Sequence, residues 1–303
     1  MIVAEQLTKR FGDRTAVDDV SFTVHPGRVT GFLGPNGAGK STTMRMIVGL
    51  DRPSSGSVTV NGRPYHSLRA PLTEVGVLLD AKAVHGGRSA RDHLRAMAAT
   101  HGIGRARVDE VIELTGIGSV AGRRAGKFSL GMGQRLGIAA ALLGDPHTLI
   151  LDEPVNGLDP EGVRWVRQFA RYSAGEGRTV LLSSHLMSEM AQTADHVIVL
   201  GRGKVLADAS LGDLVRAWTT TTLLVRSPRL TELVQALAAP DVTVTSVEPG
   251  AAQISGSTAA AVGDLAASLG IPVHELTPRD GSLEDAYLAL TGEAVEYKTK
   301  EIS

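Results

Sequence analysis

Val20-Ser21-Phe22-Thr23-Val24 alternates apolar and polar side chains, which predicts a strand with one buried face. Val29-Thr30-Gly31-Phe32-Leu33 is a short apolar run, which predicts a fully buried strand. A glycine-rich turn and then a helix from about Lys40 to Leu50 follow. Thr59-Val60 leads into an Asn61-Gly62 turn, and Val75-Gly76-Val77-Leu78-Leu79 predicts another strand.

Residues 89–143 change character. Ser89 is placed to cap a helix running through Ala99, Val108–Leu114 predicts a second helix, and Leu136–Leu143 belongs to a third. Strand patterns resume at Thr148–Leu151, Thr179–Ser183 and His196–Leu200, separated by helical stretches at Glu161–Tyr172 and Leu186–Gln192. Strands alternating with helices predict a mostly parallel sheet covered by helices, an α/β architecture carrying a helical subdomain over about 81–143.

The pattern shifts again after Trp218. Thr222–Arg226, Val242–Val247, Gln253–Ser255 and Pro272–Leu276 predict strands, with helices at Leu230–Ala238 and Ala259–Leu269. That order is βαββαβ, the split arrangement of ferredoxin-like α+β domains. A terminal helix over Ser282–Leu290 follows. The expected division is a first domain over 1–217, a small C-terminal domain over 218–292 and a polar, mobile tail over 293–303.

Composition narrows the function. The 303 residues are 43% hydrophobic and 21% charged, as in globular proteins, which suggests two domains. Lys and Arg number 31 against 32 Asp and Glu, so the chain has no overall basic footprint for nucleic acid. The absence of cysteine excludes disulfides, thiolate zinc sites and thiol catalysis. The N-terminal residues do not read as a secretory signal, and the longest apolar stretch falls well short of the ~20 residues of a membrane span. The expectation is a soluble chain whose membrane role, if any, comes through a partner.

Gly34-Pro35-Asn36-Gly37-Ala38-Gly39-Lys40-Ser41 fits the phosphate-loop pattern at every fixed position, with a strand before it and a helix after it. Glycines let backbone N–H groups curl around phosphates, and the helix start adds its positive dipole end. Lys40 supplies a mobile cation, the Ser41 hydroxyl suits Mg²⁺, and Thr42 adds a donor. Asn36, Gly37, Ala38 and Gly39 form the cradle. Further on, Leu149-Ile150-Leu151-Asp152-Glu153-Pro154 is an apolar strand ending in two carboxylates. Such a pair alone ordinarily caps a helix. Beside a phosphate loop, Asp152 reads as a Mg²⁺ ligand and Glu153 as the residue that orients or deprotonates an attacking water.

With these motifs in order, the chain resembles the ATP-binding subunits of ABC transporters over residues 1 to about 217. Phe128-Ser129-Leu130-Gly131-Met132-Gly133-Gln134-Arg135 is similar to the family's LSGGQ signature. Val155-Asn156-Gly157-Leu158-Asp159 resembles its D-loop, His185 stands at the place of the switch histidine, and Phe11 at that of the aromatic that stacks on adenine. The resemblance implies an ABC-type phosphate-loop fold, Mg²⁺-dependent ATP hydrolysis, and a head-to-tail dimer in which Ser129 and Gly131 of a second copy cap the ATP held at Lys40. Glu153, His185 and Asp159 are then the catalytic set. It also implies a separate membrane-spanning permease, so that the chain sits on the cytoplasmic face of the membrane.

Three positions depart from the family pattern. Leu130 replaces a usual Gly, Met132 a usual Gln, and Asp80 stands where a Mg²⁺-binding Gln is usual. A carboxylate ligates Mg²⁺ well, so Asp80 is a candidate metal or water ligand. Arg123, Arg124 and Lys127 read as a solvated basic loop. Residues 276–287 are similar to the ends of drug- and antibiotic-exporter ATPases, which favours export. Two other readings fit less: a soluble ABC-type ATPase on the ribosome or nucleic acid, which usually carries two ATP-binding halves, and a small-molecule kinase, which leaves the signature, D-loop and His185 unexplained.

Overall fold

In the computed structural model, which describes residues 1–291, the chain opens with an antiparallel pair, β1 (Ile2–Phe11) and β2 (Arg14–Val24). Five buried residues form β3 (Val29–Leu33), the loop 34–39 follows, and then α1 (Lys40–Ile47) and β4 (Ser55–Val60). β4 pairs with β1, giving a three-stranded sheet of order β2-β1-β4. Helix α1 stops short of the expected Leu50, because Gly49 takes a left-handed φ of 69° just past its end.

After the short α2 (Pro71–Glu74) and β5 (Val75–Leu78), three helices form the insert: α3 (Ala90–Ala99), α4 (Arg105–Leu114) and α5 (Leu130–Leu142). Ser89 caps α3 by accepting the Asp92 N–H at 3.1 Å. Leu94, Val108, Val111, Ile112 and Leu136 bury the inner faces. The chain returns to the sheet through β6 (Thr148–Leu151), α6 (Pro160–Gly175), β7 (Thr179–Ser183), α7 (Met187–Thr193), β8 (His196–Gly201) and β9 (Lys204–Ser210).

The six-stranded sheet has the order β5-β6-β7-β3-β8-β9, parallel throughout except for the edge strand β9. Strands β3, β6 and β7 are buried at every position, as expected of parallel strands covered on both faces. One apolar cluster, including Ile2, Leu7, Phe22, Phe32, Met44 and Ile198, joins both sheets to α1. The Phe22 and Phe32 rings meet at 5.5 Å within it. Each such side chain contributes about 1.5–3 kcal/mol on burial, and this cluster holds β3 and α1, the two elements that flank the loop 34–39.

Contacts divide the chain after Leu211, and Gly212–Ala289 forms a second unit. Residues 212–217, expected with the first domain, therefore fall in the second, within helix α8 (Leu211–Trp218). The unit continues through β10 (Thr222–Arg226), α9 (Leu230–Ala236), β11 (Thr243–Glu248), β12 (Ala251–Ser255), α10 (Ala259–Ser268), β13 (Glu275–Arg279) and α11 (Leu283–Thr291). Its sheet order is β11-β12-β10-β13 with every neighbour antiparallel, which is the split βαββαβ topology. Leu223, Val225 and Ile254 pack on Leu233 of α9 and Val262 of α10. The last strand lies three residues later than the expected 272–276. Pro278 falls inside it, tolerated because β13 is an edge strand. The tail expected over 293–303 lies outside the described residues.

Candidate nucleotide site

The first element of the site is the loop between β3 and α1. Gly39 sits at φ 103°, and a Cβ there would meet the Ala16 carbonyl oxygen at 2.6 Å, so only glycine fits. The next residue, Lys40, is 8% exposed. Its Nζ donates to the carbonyls of Gly34 at 2.6 Å and Pro35 at 3.3 Å, folding the side chain back over its own loop. Burial lowers its pKa, partly opposed by the charges of Glu153 and Asp152.

The ends of β6 and β7 supply the second element. Ser41 Oγ donates to Asp152 Oδ2 at 2.8 Å, tying α1 to the acidic strand end. Ser183, the last residue of β7, gives its hydroxyl proton to Asp152 Oδ1 and accepts the Glu153 N–H at 2.9 Å. Glu153 itself sits at φ 48°, in the left-handed region that non-glycine residues rarely adopt. Its carboxylate Oε2 lies 2.7 Å from His185 Nδ1.

Loop residues 35–42, Asp152 and Glu153 line one open cleft of ≈ 490 Å³ together with Phe11 and Arg14. Phe11 is 50% exposed, and Lys9 Nζ stands 4.9 Å from the centre of its ring. The cleft lies outside the carboxyl ends of parallel strands, where open α/β sheets bind ligands. Its lining includes an aromatic ring, a guanidinium, backbone N–H groups, an ammonium, hydroxyls and two carboxylates. That set suits a nucleotide with a phosphate chain and a divalent cation.

The remaining expected residues lie elsewhere. Ser129 is the N-cap of α5 and accepts the Met132 N–H at 3.3 Å. The helix begins at Leu130, ahead of the expected Leu136–Leu143 stretch, so Gly131 stands in its first turn. Neither Ser129 nor Gly131 lines the cleft of the same chain. Asp159 caps α6 through the Gly162 N–H at 2.9 Å. Asp80 is not among the residues lining this cleft, and its Oδ1 accepts the Lys82 N–H at 2.8 Å, closing a local turn. Three contributors carry no role in the sequence reading: Ser183, Gln134 and Arg14. Gln134 stands inside the run that resembles the signature but has no role of its own there, and Ser183 is signalled only as a polar residue ending a buried apolar strand.

Fold and site together define a phosphate-loop α/β nucleotide-binding domain. A family model described as ABC transporter matches residues 17–156, and a second, described as a domain of unknown function, matches 221–284. The uncharacterized ABC transporter ATP-binding protein YhcH of Bacillus subtilis (strain 168) is 35% identical over 295 residues, 96% of each chain. The bacitracin transport ATP-binding protein BcrA of Bacillus licheniformis is 41% identical over 211 residues, 69% of each chain. A solved ATP-binding subunit of an ABC transporter superposes with a TM-score of 0.66 at 26% identity, over 72% of this chain and 92% of that one. The chain belongs to the ATP-binding proteins of ABC transporters, and it is an ATPase of that family.

Proposed function

We propose that this ATPase drives export of an antibiotic or other lipophilic compound, docked on a separate membrane-spanning permease at the cytoplasmic face of the membrane. The relative named for bacitracin transport supports the substrate class. No helix among the described residues is long and apolar enough to cross a membrane, which fits a division of labour with a permease.

The observation that carries the catalytic reading is the pair of contacts Ser41 with Asp152 and Glu153 with His185. In this reading Phe11 stacks on the adenine, and the N–H groups of Asn36, Gly37, Ala38 and Gly39 hold the phosphates with Lys40 and Thr42. The all-oxygen pair of Ser41 and Asp152 suits Mg²⁺, which when bound neutralises charge developing on the phosphates. Glu153 accepts a proton from the attacking water, and His185 holds the Glu153 carboxylate in place. Asp80 stays outside the metal set.

Ser129 and Gly131 lie off their own cleft, so they serve the cleft of a second copy arranged head to tail. Asp159 shapes the loop between the two sites by holding the start of α6. A detergent pull-down of tagged Glu153→Gln with ATP and Mg²⁺ tests the assignment. Recovery of a stoichiometric polytopic membrane protein is the expected result. Ribosomal or nucleic-acid partners without one would overturn it.

A further inference from the structure

Glu153 holds a backbone conformation that is costly for a side chain with a Cβ, and such a conformation persists only where its surroundings enforce it. Two side chains do so. Ser183 accepts its N–H at 2.9 Å, and Gln134 Nε2 donates to its carbonyl oxygen at 3.1 Å. Gln134 is 5% exposed and sits in a helix that is otherwise apolar on its buried side. Its Oε1 is buried with no hydrogen-bond partner. A buried amide therefore spends its donor on Glu153 and leaves its acceptor unmet, a cost an apolar residue would not carry. Turning the amide over would set two oxygens against each other, so the carbonyl of Glu153 dictates its orientation.

Gln134 lies on α5, whose first turn carries Ser129 and Gly131. A second contact ties the same helix to the segment after Glu153. Gly157 stands at φ 73°, and a Cβ there would meet Leu130 Cδ2 at 2.4 Å, while one on Gly131 would meet the Gly157 carbonyl at 2.8 Å. Helix α5 thus grips residues 153–157 at both ends.

We propose that Gln134 is a positioning residue that fixes the Glu153 carboxylate toward the water and transmits to it any shift of the first turn of α5. The inference rests on Glu153 acting as proposed above. Gln134 does not line the nucleotide cleft and reaches it through its bond to the Glu153 carbonyl, so its effect passes through Glu153.

The test is a double-mutant cycle in the full-length protein, with Gln134→Met, Glu153→Gln and both together, read as single-turnover ATP hydrolysis. Gln134→Met keeps length and volume without the donor. It should lower kcat by roughly tenfold to a hundredfold with nucleotide Kd nearly unchanged, and it should add nothing in the Glu153→Gln background. Gln134→Asn, which keeps the amide on a shorter stem, should fall between the two, and it carries the cycle if the Met variant does not fold. An equal fall in both backgrounds, or no fall at all, would overturn the link alone. Wild-type turnover by Glu153→Gln itself would overturn the Glu153 reading and the link with it.

Discussion

His185 Nδ1 lies 2.7 Å from Oε2 of Glu153, and the His185 backbone N–H also approaches the same oxygen at 3.4 Å. The loop after β7 therefore grips one oxygen of the carboxylate. Replacing Glu153 by Gln keeps the shape but removes the proton acceptor. Turnover should fall by roughly a hundredfold or more while ATP binding persists, measured by phosphate release and nucleotide affinity on one preparation. Wild-type turnover would remove Glu153 from the mechanism.

Lys40 gives a pH signature. Its pKa lies below the ordinary lysine value because it is buried. A triphosphate beside it favours the charged form and raises that pKa. Binding therefore takes up a proton in the interval between the two values, and affinity falls as pH rises through it. Calorimetry in buffers of different ionisation enthalpy should show the uptake on the alkaline side. Lys40→Ala should abolish it together with most of the affinity, and retained tight binding would contradict the assignment.

Ser183 serves both carboxylate residues at once. In Ser183→Ala the Glu153 N–H loses its acceptor and Asp152 loses a donor. The unmet buried N–H should cost about 1–3 kcal/mol, seen as a lower denaturant midpoint, and kcat should fall with it. Unchanged stability would mean that water replaces the hydroxyl without loss.

Asp80 does not line the cleft that holds Ser41 and Asp152, and its Oδ1 accepts the Lys82 N–H. The Mg²⁺ concentration for half-maximal activity should stay within roughly twofold in Asp80→Ala. A shift of roughly tenfold would bring Asp80 into the metal set.

What the sequence made legible follows from how local each signal is. The phosphate loop and the acidic strand end are set by glycine spacing and an unbroken apolar run, both readable over a few residues. Strand β1 was missed because register shifts after Ala4 and Leu7 break its alternation, and β9 because it is a half-exposed edge. The Gln134 bond joins a side chain to a backbone carbonyl 19 positions away, which no residue pattern encodes. For Asp80, position suggested a ligand, whereas the two-residue turn its Oδ1 closes is a contact that position alone does not reveal.

The central claim is the proposed head-to-tail pairing, which starts from the separation of Ser129 and Gly131 from their own cleft. Light scattering of Glu153→Gln with and without ATP and Mg²⁺ tests it directly. The account predicts that mass doubles when ATP is added, and that Ser129→Arg, which blocks the proposed cap, holds the protein at monomer mass while ATP still binds. A monomer at saturating ATP, or a dimer indifferent to both ATP and Ser129, would contradict it.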